Sequence, residues 1–266
     1  MDLRPLALAA LHESDLKQKL ALVADLQAQA ASLSIATDVP LAEPAALPGR
    51  PARPELIDPA QVVQRSVHTP HGRAALIHAI CHIEFNAINL ALDALWRFAG
   101  MPEAFYRDWL RVAIEEAQHF GLLHEHLQTQ LGHHYGDFPA HDGLWTMCEK
   151  TKDDIVARMA LVPRTLEARG LDATPLIQKK LRAVGTPDAL AACDILDTIL
   201  RDEIGHVAIG NHWYRWLCER RGLAPLAHYA RLAAQYQAPR PRGPLNRAAR
   251  QQAGFDDAEL AWLLGS

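Results

Sequence analysis

The chain has 266 residues, 49% of them hydrophobic, and a formal net charge of −4 with its 14 histidines counted as neutral. This length supports one substantial hydrophobic core with appended segments, and the small negative charge excludes a protein that binds nucleic acid or anionic membranes over its whole surface. The four cysteines are far apart and form no CxxC pair, so neither a zinc knuckle nor a disulfide framework is expected.

The N-terminal part of the chain divides into a helical and a proline-rich segment. Residues 1–34 place apolar side chains at helical spacing, which predicts one or two amphipathic helices. The apolar run at the start is too short for the core of a signal peptide, and no apolar stretch is expected to reach the length that spans a membrane. A soluble, cytoplasmic protein is the resulting prediction. Prolines recur in the segment from Asp38 to Pro59 and cannot continue a helix, so this segment is predicted to be an extended strap.

Long helices are predicted over the middle of the chain. In chain order, the four predicted helices cover residues 71–98, 102–131, 141–169 and 187–218. Gly100, Gly132 and Gly170 are expected to end the first three, and Pro163 is expected to kink the third. Because no segment shows the alternation of a β-strand, the sequence predicts an all-α fold built on a four-helix bundle. The predicted domains are 1–60 (helical segment and strap), 61–220 (bundle) and 221–266 (arginine-rich extension).

Two Glu-x-x-His pairs are the first candidate functional residues. In "RDEIGHVAIG" Glu203 precedes His206 by three positions, and in "IEEAQHF" Glu116 precedes His119 by the same interval. Residues three apart share a helix face, so each pair can offer a carboxylate oxygen and an imidazole nitrogen to one ion. A salt-bridged core pair explains either one equally well, and two such spacings are only mildly more than chance predicts.

The positions of two further glutamates carry more weight. Glu84 and Glu116 are equally far from Gly100, where the turn between the first two helices is predicted, so the two carboxylates should face each other at one depth. Glu167 precedes Glu203 by a similar interval in the second hairpin. The chain therefore repeats the order Glu, then Glu-x-x-His. Four carboxylates and two imidazoles that face the core of a four-helix bundle are the ligands of a di-iron or di-manganese site.

The donor types indicate which metals the site prefers. Carboxylates offset the repulsion between two neighbouring cations, and imidazole nitrogen favours iron over magnesium and calcium, which prefer oxygen. Without a metal, four buried carboxylates would be costly, and some would take up protons. This cost favours the metal site over a set of structural ion pairs.

The same motifs resemble a known superfamily. Glu84, "EEAQH", "LEARG" with Glu167, and "DEIGH" resemble the ligand motifs of the ferritin-like di-iron carboxylate proteins. The phrases "MALVPRTLEARGLDATP" and "LRDEIGHVAIGNHWY" are more closely similar to a bacterial ferritin-like family of unknown function. The resemblance covers residues 70–218 and extends, more distantly, to the non-haem iron tRNA hydroxylases. It implies a ferritin-like four-helix bundle with additional N- and C-terminal helices.

The resemblance also implies a ligand assignment. One metal would be held by a first ligand set and the other by a second ligand set, with Glu116 and Glu203 able to bridge. The first ligand set is Glu84, Glu116 and His119. The second ligand set is Glu167, Glu203 and His206. The long interval before the ligand on the third helix leaves three competitors for Glu167, namely Glu149, Asp153 and Asp154. His78 and His82 precede Glu84 by about one turn and are expected to be hydrogen-bonded histidines rather than ligands.

A local excess of arginine marks the C-terminal part. Residues 220–255 contain seven arginines and no acidic residue, with Arg240, Arg242, Arg247 and Arg250 in or beside "APRPRGPLNRAARQ". These arginines either pair with the acidic body of the protein or bind a substrate that carries phosphate, such as tRNA or a nucleotide.

Together these features predict an oxidoreductase. It would hold two iron ions, or manganese, and activate dioxygen with electrons from an external donor to hydroxylate or oxidise an organic substrate, for which tRNA or a nucleotide is the leading candidate. Two alternatives remain open. The first is a ferritin-like iron-binding or ferroxidase protein without an organic substrate. The second is a non-catalytic helical bundle, which leaves the matched depths of the glutamates unexplained.

Overall fold

The computed structural model describes residues 1–44, 46–241 and 243–265. Over these residues the regular secondary structure is helical, with two isolated β-bridges and no β-strand. The predicted all-α class is therefore confirmed. The chain forms two compact units, Met1–Trp145 and Thr146–Ser266. The pairing of the helix hairpins into one ferritin-like bundle stays a prediction.

The helices of the described residues follow one another along the chain, with the strap in the longest connection between them. They are α1 (Leu3–His12), α2 (Leu16–Gln29), a 3₁₀ turn (Pro59–Gln61), α3 (Pro70–Arg97), α4 (Glu103–Leu131), α5 (Gly143–Lys150), α6 (Ile155–Leu161), a π-helix (Val162–Glu167), α7 (Ala168–Val184), α8 (Pro187–Arg220), α9 (Pro225–Gln235), α10 (Arg247–Gln252) and α11 (Asp257–Leu264).

The α3–α4 hairpin forms the core of the first unit, and its ends match the sequence. Thr69 caps α3 by accepting a hydrogen bond from the Gly72 amide, and a proline follows at the first helical position. Gly100 turns the chain with φ = 78°, and Gly132 ends α4 with φ = 65°. Both angles lie in the left-handed region that glycine adopts without strain. The predicted bounds of both helices are confirmed to within one residue.

A buried arginine holds the start of the proline-rich segment in the first unit. Arg4, on α1, donates hydrogen bonds to the carbonyl oxygens of Ala36 and Val39 at 2.8 and 2.6 Å, and to that of Trp96 on α3 at 2.7 Å. The Gly49 amide donates to the Leu11 carbonyl at 2.8 Å. These contacts satisfy backbone groups that prolines and extended chain leave without helical partners. The predicted strap is thus confirmed over its described residues.

One expectation about hydropathy needs correction. A stretch within α3 is long and apolar enough to cross a membrane by length and composition, although 72% of it is buried within the fold. The same helix carries the buried charged residues Arg73, Glu84 and Asp93. An apolar helix at the core of a soluble protein has this pattern. The cytoplasmic location stays a prediction.

The third predicted helix is interrupted in the structure. It was expected to run unbroken from 141 to Arg169, but the helix stops at Lys150 and resumes at Ile155. Asp154 starts the new helix, because its side chain accepts hydrogen bonds from the amides of Val156 and Ala157. Gly170 does not end the helix either, since α7 continues to Val184.

A tertiary contact explains why α7 continues through Pro175. Proline has no amide hydrogen to donate to the carbonyl four residues earlier, which here is the Leu171 carbonyl. The side chain of Asn246 donates a hydrogen bond to that carbonyl at 3.1 Å. The acceptor that Pro175 leaves unused is therefore satisfied from the C-terminal part of the unit.

At Pro163, where a kink was predicted, the chain forms a π-helix. The Ala168 amide donates to the Pro163 carbonyl, five residues earlier, and the Thr165 hydroxyl donates to the Ala160 carbonyl at 2.8 Å. A proline removes one ordinary helical hydrogen bond, so the wider turn accommodates the local defect.

The π-helix packs closely against α8 at Gly210. A Cβ atom at position 210 would lie 2.5 and 2.6 Å from the Cβ and Cγ atoms of Pro163. Atoms this close overlap, so only glycine lets the two helices approach as they do. By contrast, a Cβ atom at Gly205, one turn earlier, would meet nothing within 4 Å.

We therefore expect Gly210→Ala to destabilise the protein by about 1–3 kcal/mol, the usual cost of an overpacked core. Gly205→Ala is the matched control in the same helix. It should be neutral or stabilising by up to about 1 kcal/mol, because alanine has the higher helix propensity. Urea unfolding of both variants measures the free energies. Equal effects of the two substitutions would contradict the close approach at Gly210.

Candidate metal centre

The first ligand set lies on the α3–α4 hairpin and is buried. Glu84, Glu116 and His119 are 4%, 0% and 1% exposed. The His119 Nδ1 atom is 3.3 Å from the Glu84 Oε2 atom and 3.4 Å from the Glu116 Oε2 atom. The equal distance of both glutamates from Gly100 thus brings them to the same imidazole, as the sequence predicts.

These distances suit one metal ion. The ligand atoms of the three residues lie within 4.8 Å of one another. An ion about 2.1 Å from each donor separates neighbouring donors by roughly 3 Å, so small side-chain movements complete a coordination shell. Two carboxylates and one imidazole also balance a divalent charge and match the donor preference of iron and manganese. The buried cluster can therefore hold a metal ion.

Without a metal, the first ligand set retains protons at neutral pH. Burial, and then the negative charge of Glu116, raises the pKa of Glu84 to about 8. Burial lowers the pKa of His119, but hydrogen bonds and opposite charge from Glu116 and Glu84 outweigh it and raise this pKa to about 11. Because a metal requires the deprotonated carboxylate and the neutral imidazole nitrogen, metal binding must release protons here.

The second ligand set lies in the second unit and is also buried. Glu203 and His206, on α8, are 8% and 0% exposed, with 3.5 Å between the Glu203 Oε1 and the His206 Nδ1 atoms. The pair repeats the spacing and the contact of Glu116 and His119. Asp202, one position earlier, instead pairs with Arg201 on the less buried side of the helix.

Glu167 ends the π-helix and is 8% exposed. The contact between Pro163 and Gly210 fixes the level of this segment along α8. The segment runs antiparallel to α8, so Glu167, four residues after Pro163, is expected near the level of His206, four residues before Gly210. The order of residue types in the first hairpin thus recurs in the second.

The competitors for Glu167 have other roles. Asp154 caps α6, and Glu149 is exposed and forms an ion pair with Lys152 at 3.0 Å. Asp153 is exposed as well. Among the four acids, only Glu167 is buried, which favours it as the ligand from this part of the chain. The ligand assignment as a whole, including the bridging by Glu116 and Glu203, stays a prediction.

His78 and His82 are hydrogen-bonded in the core, as expected. The Nε2 atom of His78 accepts a hydrogen bond from the Gly136 amide at 2.9 Å. His82 contacts the Tyr135 hydroxyl through Nδ1 at 2.8 Å and the Asn86 amide nitrogen through Nε2 at 3.0 Å. Burial lowers the pKa of His78 to about 4 and that of His82 to about 3.

Comparison with known proteins places the chain in a family. The model of the DUF455 family, described as proteins of unknown function, matches residues 12–261. The chain belongs to that family. The match includes both ligand sets. An uncharacterized protein of Haemophilus influenzae is 54% identical over 220 residues, which are 80% of this chain and 75% of that protein. No solved structure matches the chain.

Sequence reasoning missed a buried arginine beside the second ligand set. Arg164, three residues before Glu167, is 1% exposed and donates to Asn211 Oδ1 and Glu259 Oε1, both at 2.6 Å. The signal was an arginine within the apolar run "MALVPRTLE". Its partner Glu259 lies 95 positions later, and sequence spacing gives no means to pair the two residues.

The raised pKa values predict how pH affects the metal-free protein. The folded state holds a proton on Glu84 up to about pH 8, whereas the unfolded state loses it near the usual glutamate pKa of 4.5, so stability should fall as pH rises through this window. His119 acts in the same direction. Its raised pKa contributes stability that is fully present below pH 6.5, the usual histidine pKa, and that is lost as pH rises towards about 11.

Melting temperatures of the metal-free chain between pH 5 and pH 8 measure this effect. Glu84→Gln should flatten the slope, since glutamine has no proton to lose. Glu125→Gln is the control, because Glu125 is exposed on the same helix as Glu116, and it should keep the wild-type slope. A slope unchanged by Glu84→Gln would contradict the raised pKa.

Proposed function

We propose that this protein is a dinuclear iron oxidoreductase, with manganese as the alternative metal, that activates dioxygen to hydroxylate or otherwise oxidise an organic substrate. The observation that carries the proposal is the first ligand set, in which two carboxylates and an imidazole lie buried within reach of one ion. The same order of residue types in the second hairpin supports a second ion. The fold class and the motif resemblance to ferritin-like di-iron proteins agree with this proposal.

The residues of the chain have defined tasks in this proposal. Glu84 and Glu116 would neutralise the charge of one ion, and His119 would supply a nitrogen donor through the Nδ1 atom that faces them. Phe85 and Phe120, each next to a ligand in sequence, are 1% and 0% exposed and exclude water from this part of the hairpin. The bound metal supplies the redox chemistry with dioxygen, and an external donor supplies the electrons.

Metal analysis of the purified chain tests the proposal. We expect about two iron or manganese ions per chain, as in di-metal carboxylate bundles. Glu116→Gln and Glu203→Gln should each lower the metal content by at least half, because a carboxamide is a poorer ligand than a carboxylate. The controls are Glu125→Gln on α4 and Glu219→Gln on α8, both at exposed positions. A metal-free wild-type protein that is equally stable would contradict the proposal and favour the non-catalytic bundle.

Dioxygen consumption separates the oxygenase from the ferroxidase alternative. An oxygenase should consume dioxygen continuously with a reductant and its organic substrate, while its bound iron stays constant. A ferroxidase should consume dioxygen in proportion to added Fe(II) and accumulate ferric iron without any organic substrate. The second outcome would replace the proposed reaction and leave the metal site intact.

The proposal of a tRNA or nucleotide substrate depends on the C-terminal arginines. Arg250 is not available, because it is buried and pairs with Asp172 at 2.7 Å. Arg242 lies outside the described residues. Arg240 lies over the Trp262 ring, and Arg247 is half exposed and pairs with Asp257 at 3.3 Å. Arg240 and Arg247 are therefore the arginines that would contact phosphate.

Modified nucleosides of total tRNA, compared between cells with and without the gene, test this substrate. We expect one hydroxylated or oxidised nucleoside to disappear with the gene and to return with the wild-type chain. Glu116→Gln should fail to restore it, whereas Glu125→Gln should restore it. An unchanged nucleoside profile would direct the search to other organic substrates.

A further inference from the structure

The C-terminal part of the second unit contacts the chain on both sides of Glu167. We call the three side chains that make these contacts the C-terminal clamp, and they are Asn246, Arg250 and Glu259. One contact precedes Glu167 by three residues, and the others follow it by one to five. The arginine-rich extension, which the sequence suggested as a surface for phosphate, thus also acts inside the fold.

The upstream contact is a buried ion pair. Arg164 donates to the Glu259 Oε1 atom at 2.6 Å, and the two side chains are 1% and 3% exposed. Rings of Tyr214, Tyr229 and Phe255 surround the guanidinium, with centroids 5.1, 4.9 and 4.8 Å from its Cζ atom. A guanidinium held by an ion pair and three aromatic faces has one orientation. The π-helix that carries Arg164 is therefore held in place as well.

The downstream contacts hold the first turns of α7. Arg250 donates to both carboxylate oxygens of Asp172, at 3.0 and 2.7 Å, and to the Ala168 carbonyl at 3.2 Å. Asn246 donates to Asp172 through its backbone amide at 2.9 Å and to the Leu171 carbonyl through its side chain. A bidentate arginine–carboxylate pair fixes both distance and angle.

The segment between these contacts depends on them. A π-helix is rarely stable by itself, and this one contains Pro163, which lacks an amide hydrogen. The hydrogen bonds within the π-helix therefore do not by themselves fix the position of the Glu167 side chain. The contacts on either side, together with the close approach of Pro163 to Gly210, restrict the path of the intervening residues along α8.

We propose that the C-terminal clamp positions Glu167 for metal binding and that Arg164 is the positioning residue that links Glu259 to the π-helix. This inference rests on the proposed function, since it takes Glu167 as a metal ligand. Outer contacts of this kind usually change metal affinity by about 10–100-fold when they are removed. The clamp gives the C-terminal residues a role in the metal site without direct contact with a metal.

Cobalt(II), added to the metal-free full-length chain and followed by absorption and calorimetry, tests the inference. The wild type should bind two cobalt ions in resolvable steps. Glu259→Ala should weaken one step by about 10–100-fold and leave the other unchanged. Hydrogen exchange of the metal-free variant should rise in the peptide that contains residues 162–167 and stay constant in α3 and α4.

One further variant and two controls keep the test decisive. If Glu259→Ala does not fold, Glu259→Gln decides, because it keeps a neutral acceptor for Arg164 and should weaken the same step to a smaller extent. Arg215→Gln is the matched control, since it removes the ion pair to the other oxygen of Glu259 at 2.7 Å and leaves the pair between Glu259 and Arg164 in place. Asp257→Asn removes an exposed pair on the same helix. Both controls should bind cobalt as the wild type does.

The outcomes separate the inference from the proposed function. Two normal binding steps in the Glu259 variants, together with a lower melting temperature, would show a merely structural role and overturn the inference. Equal weakening of both steps would also overturn it, because general loosening affects both ligand sets. A wild-type chain that binds no cobalt would instead refute the proposed function itself.

Discussion

The cost of burying charge is the constraint on which the rest of this structure depends. Glu84 and Glu116 are almost completely removed from water, and two carboxylates cannot both stay ionised there without a nearby positive charge. The imidazole of His119 provides that charge in the metal-free protein, and a divalent cation would provide more. The surrounding helices are correspondingly apolar, so the charged groups find their partners within the set.

The same constraint operates in the second unit with different partners. Arg164 is fully buried, and its charge is balanced by Glu259 and by three aromatic rings. Removing one partner of such a pair would leave an uncompensated charge in the core. The C-terminal helices are therefore tied to the segment that carries Glu167, although they lie far from it along the chain.

Local sequence signals predicted much of the first unit. Helix spacing, the glycines at 100 and 132, and the prolines of the strap each act over a few residues, so their effect is visible in the sequence. The depth match of Glu84 and Glu116 was also visible, because a short turn joins two regular helices and the count of residues then determines the pairing. The contacts of His119 with both glutamates agree with this count, because the rise per residue of an α-helix is constant.

The second unit shows where such reasoning ends. Gly170 and Pro175 normally interrupt helices, yet α7 passes through both. At Pro175 the Asn246 side chain satisfies the carbonyl that the proline leaves without a donor. The sequence by itself determined the helical class, the two Glu-x-x-His pairs and the facing glutamates, since these depend on local periodicity. Only the tertiary structure decided the π-helix, the continuous α7 and the burial of Arg164 with Glu259, since each depends on partners distant in sequence.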